Sequence, residues 1–172
     1  MQIRLTLLAA ALVLTACATR QQTGPSAAAQ LQSTTGNQTS GMVNFAQHGG
    51  TVTVSGQVRG LKPNAEHGFH VHETGDCSSG DGMSAGGHFN PTGLPHGKQG
   101  VDAHHAGDLP SLKADASGVA TFSFESTMTA IGAGVAGIVG RGLIVHQDPD
   151  DYKTQPTGNA GARLACAVIA RG

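Results

Sequence analysis

No tryptophan and a single tyrosine occur in this 172-residue chain, and aromatic residues make up only 3% of it. A core built on large rings is excluded, so small and branched aliphatic side chains have to fill it. Charged residues are scarce as well, at 12%, which leaves little material for long helices laced by ion pairs. The formal net charge of −1 gives no electrostatic reason to expect nucleic acid or an anionic lipid surface as a partner. Cysteine is limited to three residues with no C-x-x-C pair among them. What the chain has in quantity is glycine, at 26 residues, and short β-prone stretches between turns. Together these predict one all-β domain.

Residues 28–33, 41–47, 51–59, 66–73, 118–125, 142–146 and 165–170 alternate or are β-rich, and turn residues bound them. Gly49-Gly50 predicts a two-residue hairpin turn. Residues 74–113 are rich in Gly, Ser, Asp, His and Pro and have no hydrophobic period. A loop of that length inside a compact domain is functional or disordered, and its histidines argue for function. Residues 132–137 satisfy G-x-G-x-x-G, yet no strand of a βαβ unit precedes them and too little chain follows to complete a dinucleotide domain. The surrounding run 129–140 is too short for a membrane span and ends at Arg141. It predicts a glycine-rich connection packed over a sheet.

The N-terminus carries Arg4, an apolar run from Leu5 to Leu14, and then Leu14-Thr15-Ala16-Cys17. This resembles a bacterial lipoprotein signal with its lipobox, too short to span a membrane as a folded helix. The resemblance implies a signal peptide over 1–16, cleavage before Cys17, and acylation of that residue, whose several chains give firm membrane anchoring. Ala18 after it implies the outer membrane where the host has one. An unlipidated signal cleaved nearby is the alternative, and either exports the protein. Residues 17–25 then form a polar tether and 26–172 the folded domain. With Cys17 acylated, Cys77 and Cys166 remain as a natural pair in an oxidising compartment. Their disulfide would close a loop of about 90 residues, worth about 4–5 kcal/mol in the chain-entropy model. Metal ligation by these thiols is the weaker reading, since neither sits in a C-x-x-C pair.

Residues 67–72 read "HGFHVH". In a strand His70 and His72 share one face and Phe69 and Val71 the other, which is half of a metal site with a hydrophobic back. Taken alone, the pair is equally a solvated strand face. His88, His96, His104 and His105 fall in the long loop with Asp102 and Asp108, and His146 ends a predicted strand. Imidazole suits zinc, copper, iron and nickel, and a tetrahedral zinc site tolerates one added carboxylate. The chain offers more ligands than one metal needs.

Five blocks, "GFHVHETGD" (68–76), "GGHFNP" (86–91), "HHAGD" (104–108), "GRGLIVH" (140–146) and "GNAGARLACAVI" (158–169), follow one another in an order and spacing that resemble the copper,zinc superoxide dismutase family. The resemblance runs from about Ala28 to the end. It implies an eight-stranded Greek-key β-barrel of the immunoglobulin-like sandwich class with long metal-binding loops. It implies copper held by His70, His72, His88 and His146, and zinc held by His88, His96, His105 and Asp108, with His88 bridging. His105 is chosen over His104 because the family pattern is His-x-Gly-Asp, which leaves His104 and His48 as expected surface residues. His67 matches a structural, hydrogen-bonded histidine. Asp150 matches a carboxylate linking a copper ligand to a zinc ligand, with a turn carboxylate as the plainer reading. Arg163 matches the active-site arginine that guides a small anion.

The implied reaction is dismutation of superoxide to O₂ and H₂O₂, with His88 as proton carrier. The position of Cys77, soon after His72, and the short segment between His146 and Arg163 look like the bacterial branch, which leaves monomer and homodimer both open. A non-enzymatic copper or zinc buffer on the same scaffold is the rival; the full ligand set and Arg163 favour the enzyme. A structural zinc clip fails to explain why His70, His72 and His146 stand apart from the loop.

Overall fold

The structure, a computed structural model, describes residues 24–172. The expected signal sequence, Cys17 and most of the tether lie outside the described residues. Ten strands follow in order: β1 Ser26–Ser33, β2 Ser40–His48, β3 Thr51–Arg59, β4 Glu66–His67, β5 Phe69–His72, β6 Leu112–Lys113, β7 Ala120–Ser126, β8 Gly142–His146, β9 Arg163–Val168 and β10 Ala170–Arg171. Among the described residues the one helical element is a 3-10 turn at Met83–Ala85, and no helix is long and apolar enough to cross a membrane.

The strands form where apolar residues recur every second position. In β1 to β3 the inward set is Ala27, Ala29, Leu31, Val43, Phe45, Val52, Val54 and Val58, while Gln30, Asn44 and Gln57 face outward. This period-two pattern fixes one buried face and with it the register. The antiparallel sheet runs β5-β8-β9-β1-β2-β3-β7, and β10 adds to β1. Chain order and sheet order differ because β3 is followed by the opposite edge and β7 returns beside β3, the long crossovers of a Greek key. The eight-stranded sheet curls around a core that includes Phe69, Val71, Leu109, Leu143 and Val145.

The expected strands recur with small shifts. The first begins at Ser26, and the 66–73 run changes partner at Gly68, since β4 pairs with β6 whereas β5 pairs with β8. The 165–170 run divides into β9 and the two-residue β10, and β6, also of two residues, is an addition too short to show a period. Gly49 and Gly50 make the β2–β3 turn. The 129–140 run is a braced connection with Ile131 and Ile138 in the core.

Candidate metal centre

Strand β5 organises the site. Its apolar residues Phe69 and Val71 enter the core, yet all four of its residues are buried because the long loop lies over the histidine face. The loop is pinned to the β5 backbone: Phe89 donates to Val71 O at 2.8 Å, Val71 donates to Gly107 O at 2.9 Å, and Leu109 donates to Phe69 O at 3.3 Å. Gly107 permits this approach, since a Cβ there would strike Val71 O. The pinning sets His88 across from His72 and Asp108 across from His70. On the other edge β8 pairs with β5 and brings in His146.

Two buried clusters result, His70, His72, His88, His146 and His88, His96, His105, Asp108, and in each the ligand atoms lie within 4.8 Å of one another. Nearly every ring is fixed by one nitrogen and leaves the other bare. His70 Nε2 donates to Asp150 Oδ2 at 2.8 Å, His72 Nδ1 to Gly86 O at 2.9 Å, His146 Nδ1 to Gly161 O at 3.2 Å and His96 Nε2 to Asp150 Oδ1 at 2.9 Å. The opposite atoms, His70 Nδ1, His72 Nε2, His88 Nε2, His146 Nε2, His96 Nδ1 and His105 Nδ1, are buried without a hydrogen-bond partner. His96 Nδ1 is 3.0 Å from Asp108 Oδ2 and His105 Nδ1 is 3.3 Å from Asp108 Oδ1, in both cases without hydrogen-bond alignment. These groups converge on a common point. Buried bare lone pairs are costly, and metal ions are what such a donor set fits: four imidazoles suit copper, and three imidazoles with a carboxylate suit zinc.

Burial lowers most of the imidazoles, His105 of the loop cluster included. Burial pushes His70 down to about 4, against the raising pull of Asp150. His72 and His146 lie well below the ordinary imidazole range, through burial first and then charge on His88 and His70 respectively. His96 goes the other way: burial opposes it, but Asp108 and Asp150 outweigh burial and raise it to about 9. Both carboxylates fall well below their usual range, because hydrogen bonds from the imidazoles overcome the opposing effect of burial.

Arg163 starts β9, paired across from His146. Its Nη1 donates to Gly82 O at 2.6 Å and its Nη2 to Gly86 O at 2.7 Å, so one carbonyl, Gly86 O, orients both Arg163 and His72. Cys77 and Cys166 form a disulfide with a Cα separation of 5.8 Å, which ties the loop that carries Gly82 and Gly86 to the strand that carries Arg163. His67 is buried and its Nδ1 donates to His146 O at 2.9 Å. His48 is exposed. His104 departs from expectation: it is buried rather than on the surface, with Nδ1 donating to the adjacent His105 O at 2.7 Å. It turns inward to brace the backbone of its neighbour.

Three supporting residues went unread in the sequence. Gln155 clasps the His96 backbone in both directions, accepting from His96 N and donating to His96 O, each at 2.9 Å. Tyr152 donates its backbone N–H to Asp150 Oδ1 at 2.7 Å, and its hydroxyl donates to Ser111 Oγ at 2.9 Å. Gly158, at φ 67°, lies where a Cβ would overlap the Asp150 carboxylate and crowd His96 Nε2. A glycine between turn residues was the one signal available for it.

A curled Greek-key sheet with two four-donor clusters sharing one imidazole defines a protein with a paired metal centre. A family model described as copper/zinc superoxide dismutase (SODC) matches residues 39–169. A superoxide dismutase [Cu-Zn] of Paramecium bursaria Chlorella virus 1 is 44% identical over 135 residues, which cover 75% of this chain and 71% of the viral protein. In a crystal structure of the clock protein EA4, 95% of that chain and 86% of this one superpose with a TM-score of 0.78 at 37% identity. The chain belongs to the copper/zinc superoxide dismutase family.

Proposed function

We propose that the chain dismutates superoxide outside the cytoplasm, by the overall reaction 2 O₂⁻ + 2 H⁺ → O₂ + H₂O₂. The observation that carries this reading is the set of buried, unpartnered ring nitrogens in two clusters that share His88. Copper would be held by His70, His72, His88 and His146, and zinc by His88, His96, His105 and Asp108. When bound, copper supplies one-electron exchange with superoxide in both directions, and zinc supplies a redox-inert positive charge beside it.

The side chains do the rest. The Arg163 guanidinium, a permanent cation whose direction is fixed by Gly82 O and Gly86 O, attracts the small anion and donates to it. His88 would carry the proton that the peroxide product requires on Nε2 whenever that atom does not hold copper, and its Nδ1 side, facing Asp108 Oδ1 at 2.8 Å, keeps the ring oriented. Asp150 accepts from His70 and His96, which fixes both tautomers so that the two Nδ1 lone pairs stay available.

The mature protein begins at Cys17, lipidated after removal of residues 1–16, with 17–25 as tether and 26–172 as catalytic domain. The lipobox sequence and a disulfide suited to an oxidising compartment support a cell-envelope lipoprotein that protects the envelope from superoxide. Dismutation by the mature, disulfide-bonded chain loaded with copper and zinc tests the activity. Fast turnover that His146→Ala abolishes and Arg163→Ala reduces supports it. A loaded, disulfide-bonded sample without turnover would make the protein a copper and zinc buffer instead. Mass spectrometry of the membrane-extracted protein for acyl groups on Cys17 tests the anchor.

A further inference from the structure

Val135, at the tip of the β7–β8 connection, is 79% exposed, the most exposed large apolar side chain among the described residues. The tip is braced. Ala130 donates to Ala136 O at 2.9 Å and Ile138 donates to Ala130 O at 3.0 Å across its neck, with Ile131 and Ile138 buried beneath. Its place in the molecule is fixed by two hydrogen bonds: Ile131 N donates to Gln47 Oε1 at 2.6 Å, and Gln47 N donates to Pro25 O at 2.9 Å. The tip therefore stands beside the point from which the chain runs back toward Cys17.

Charge is distributed unevenly between the two ends of the barrel. Residues 24–58 and 126–140 contain no Asp, Glu, Lys or Arg. The charges near the tip are Glu125 at the end of β7, Arg141, whose Nε donates to Gly137 O at 2.8 Å and whose Nη1 donates to Glu73 O at 2.8 Å, and Arg171, which pairs across from Ala27. The opposite end carries Arg59, Lys62, Glu66, Lys113 and Asp115.

We propose that the end led by Val135 rests on the lipid surface that holds Cys17, with Arg171 at the level of the headgroups. The inference rests on the lipid anchor proposed above. The seven steps from Cys17 to Gly24 span at most about 25 Å, whereas the eight steps along β3 alone separate the two ends by about 27 Å. The far end thus stands beyond the reach of the tether while the near end is held close. One apolar side chain is too little to anchor a domain, so the loop orients what the acyl chains retain. The uncharged 126–140 tip meets the interface without desolvating ions, and the cations of Arg141 and Arg171 complement anionic lipid.

The chain has no tryptophan, so a single introduced indole reports its surroundings alone. The test uses the metal-loaded chain from Cys17 to Gly172, in which Cys77 and Cys166 are joined and Cys17 is the one remaining thiol. It is coupled to a maleimide phospholipid in vesicles containing anionic lipid, so the geometry is tested whether or not a cell acylates Cys17. Val135→Trp and Lys62→Trp are compared. The expected result is a blue shift of Val135→Trp and its quenching by brominated acyl chains, with Lys62→Trp unchanged. A blue shift at both positions, or at Lys62→Trp alone, overturns the orientation. An unshifted Val135→Trp overturns the lipid contact. Absence of acyl groups on Cys17 in the native host removes the anchor and is read separately from the vesicle result.

Discussion

The two clusters share His88 but are made of different material. His70, His72 and His146 stand on β5 and β8, with core residues behind them and a hydrogen-bonded ladder between. His96, His105 and Asp108 stand on no strand and are held by a carboxylate, by the Gln155 clasp and by the backbone pins to β5. Strands suit a centre whose geometry has to stay fixed while its charge changes. A loop suits a centre that supplies constant charge, because the ion itself supplies the order that packing does not.

The largest test of that contrast is covalent. Cys77→Ser with Cys166→Ser removes the covalent link between loop and β9 and should lower stability by about 2–5 kcal/mol in urea unfolding of the metal-free protein. Hydrogen exchange should rise in 74–111 before it rises in β5, β8 and β9, and equal loss in both would break the distinction. Next comes pH. His70 has a folded pKa of about 4, below its unfolded value, so its neutral form stabilises the metal-free fold above about pH 6.5. That contribution is lost as pH falls toward 4, on the order of 3 kcal/mol. His96 is raised to about 9, so its contribution is full below about pH 6.5 and is lost as pH rises through about 9. Metal-free stability should peak near pH 6.5, with the contribution of His70 lost in acid and that of His96 lost in alkali; a monotonic profile would contradict this.

Asp150→Asn leaves one acceptor for two imidazoles and should weaken zinc affinity by about 10–100-fold. Copper affinity should fall less, since His72 and His146 are oriented by the carbonyls of Gly86 and Gly161; competition titrations with chelators measure both. The smallest effect is expected from Tyr152→Phe, which deletes the hydroxyl bonds to Ser111 at about 1 kcal/mol. Its effect should appear in loop exchange rates and leave those of β5 unchanged.

What could be read in the linear sequence follows a physical rule. Strands of five or more residues with one buried face show a period of two, and β2, β3 and β7 were legible for that reason; β8, buried throughout, was legible only as a short β-rich run between turn residues, and β6 and β10 are too short to show a period. His70 and His72 were legible as a pair because alternation alone sets them on one face. His104 was misread because exposure of a loop histidine depends on what folds over it, and nothing local shows that it turns back onto His105 O. Gln155 lies 59 residues from His96, and no local signal joins them.

The sequence by itself determined the all-β class, the buried face of each long strand, the supply of more imidazoles than one metal needs, and the family to which those blocks belong. Tertiary structure alone decided which nitrogen of each ring is bare, that Asp150 spans 80 residues to His70 and 54 to His96, and that the 129–140 connection is tied through Gln47 to Pro25. The reason is range: alternation and motif spacing act between neighbours along the chain, whereas a hydrogen bond that fixes a tautomer is chosen only once folding has brought distant atoms within about 3 Å.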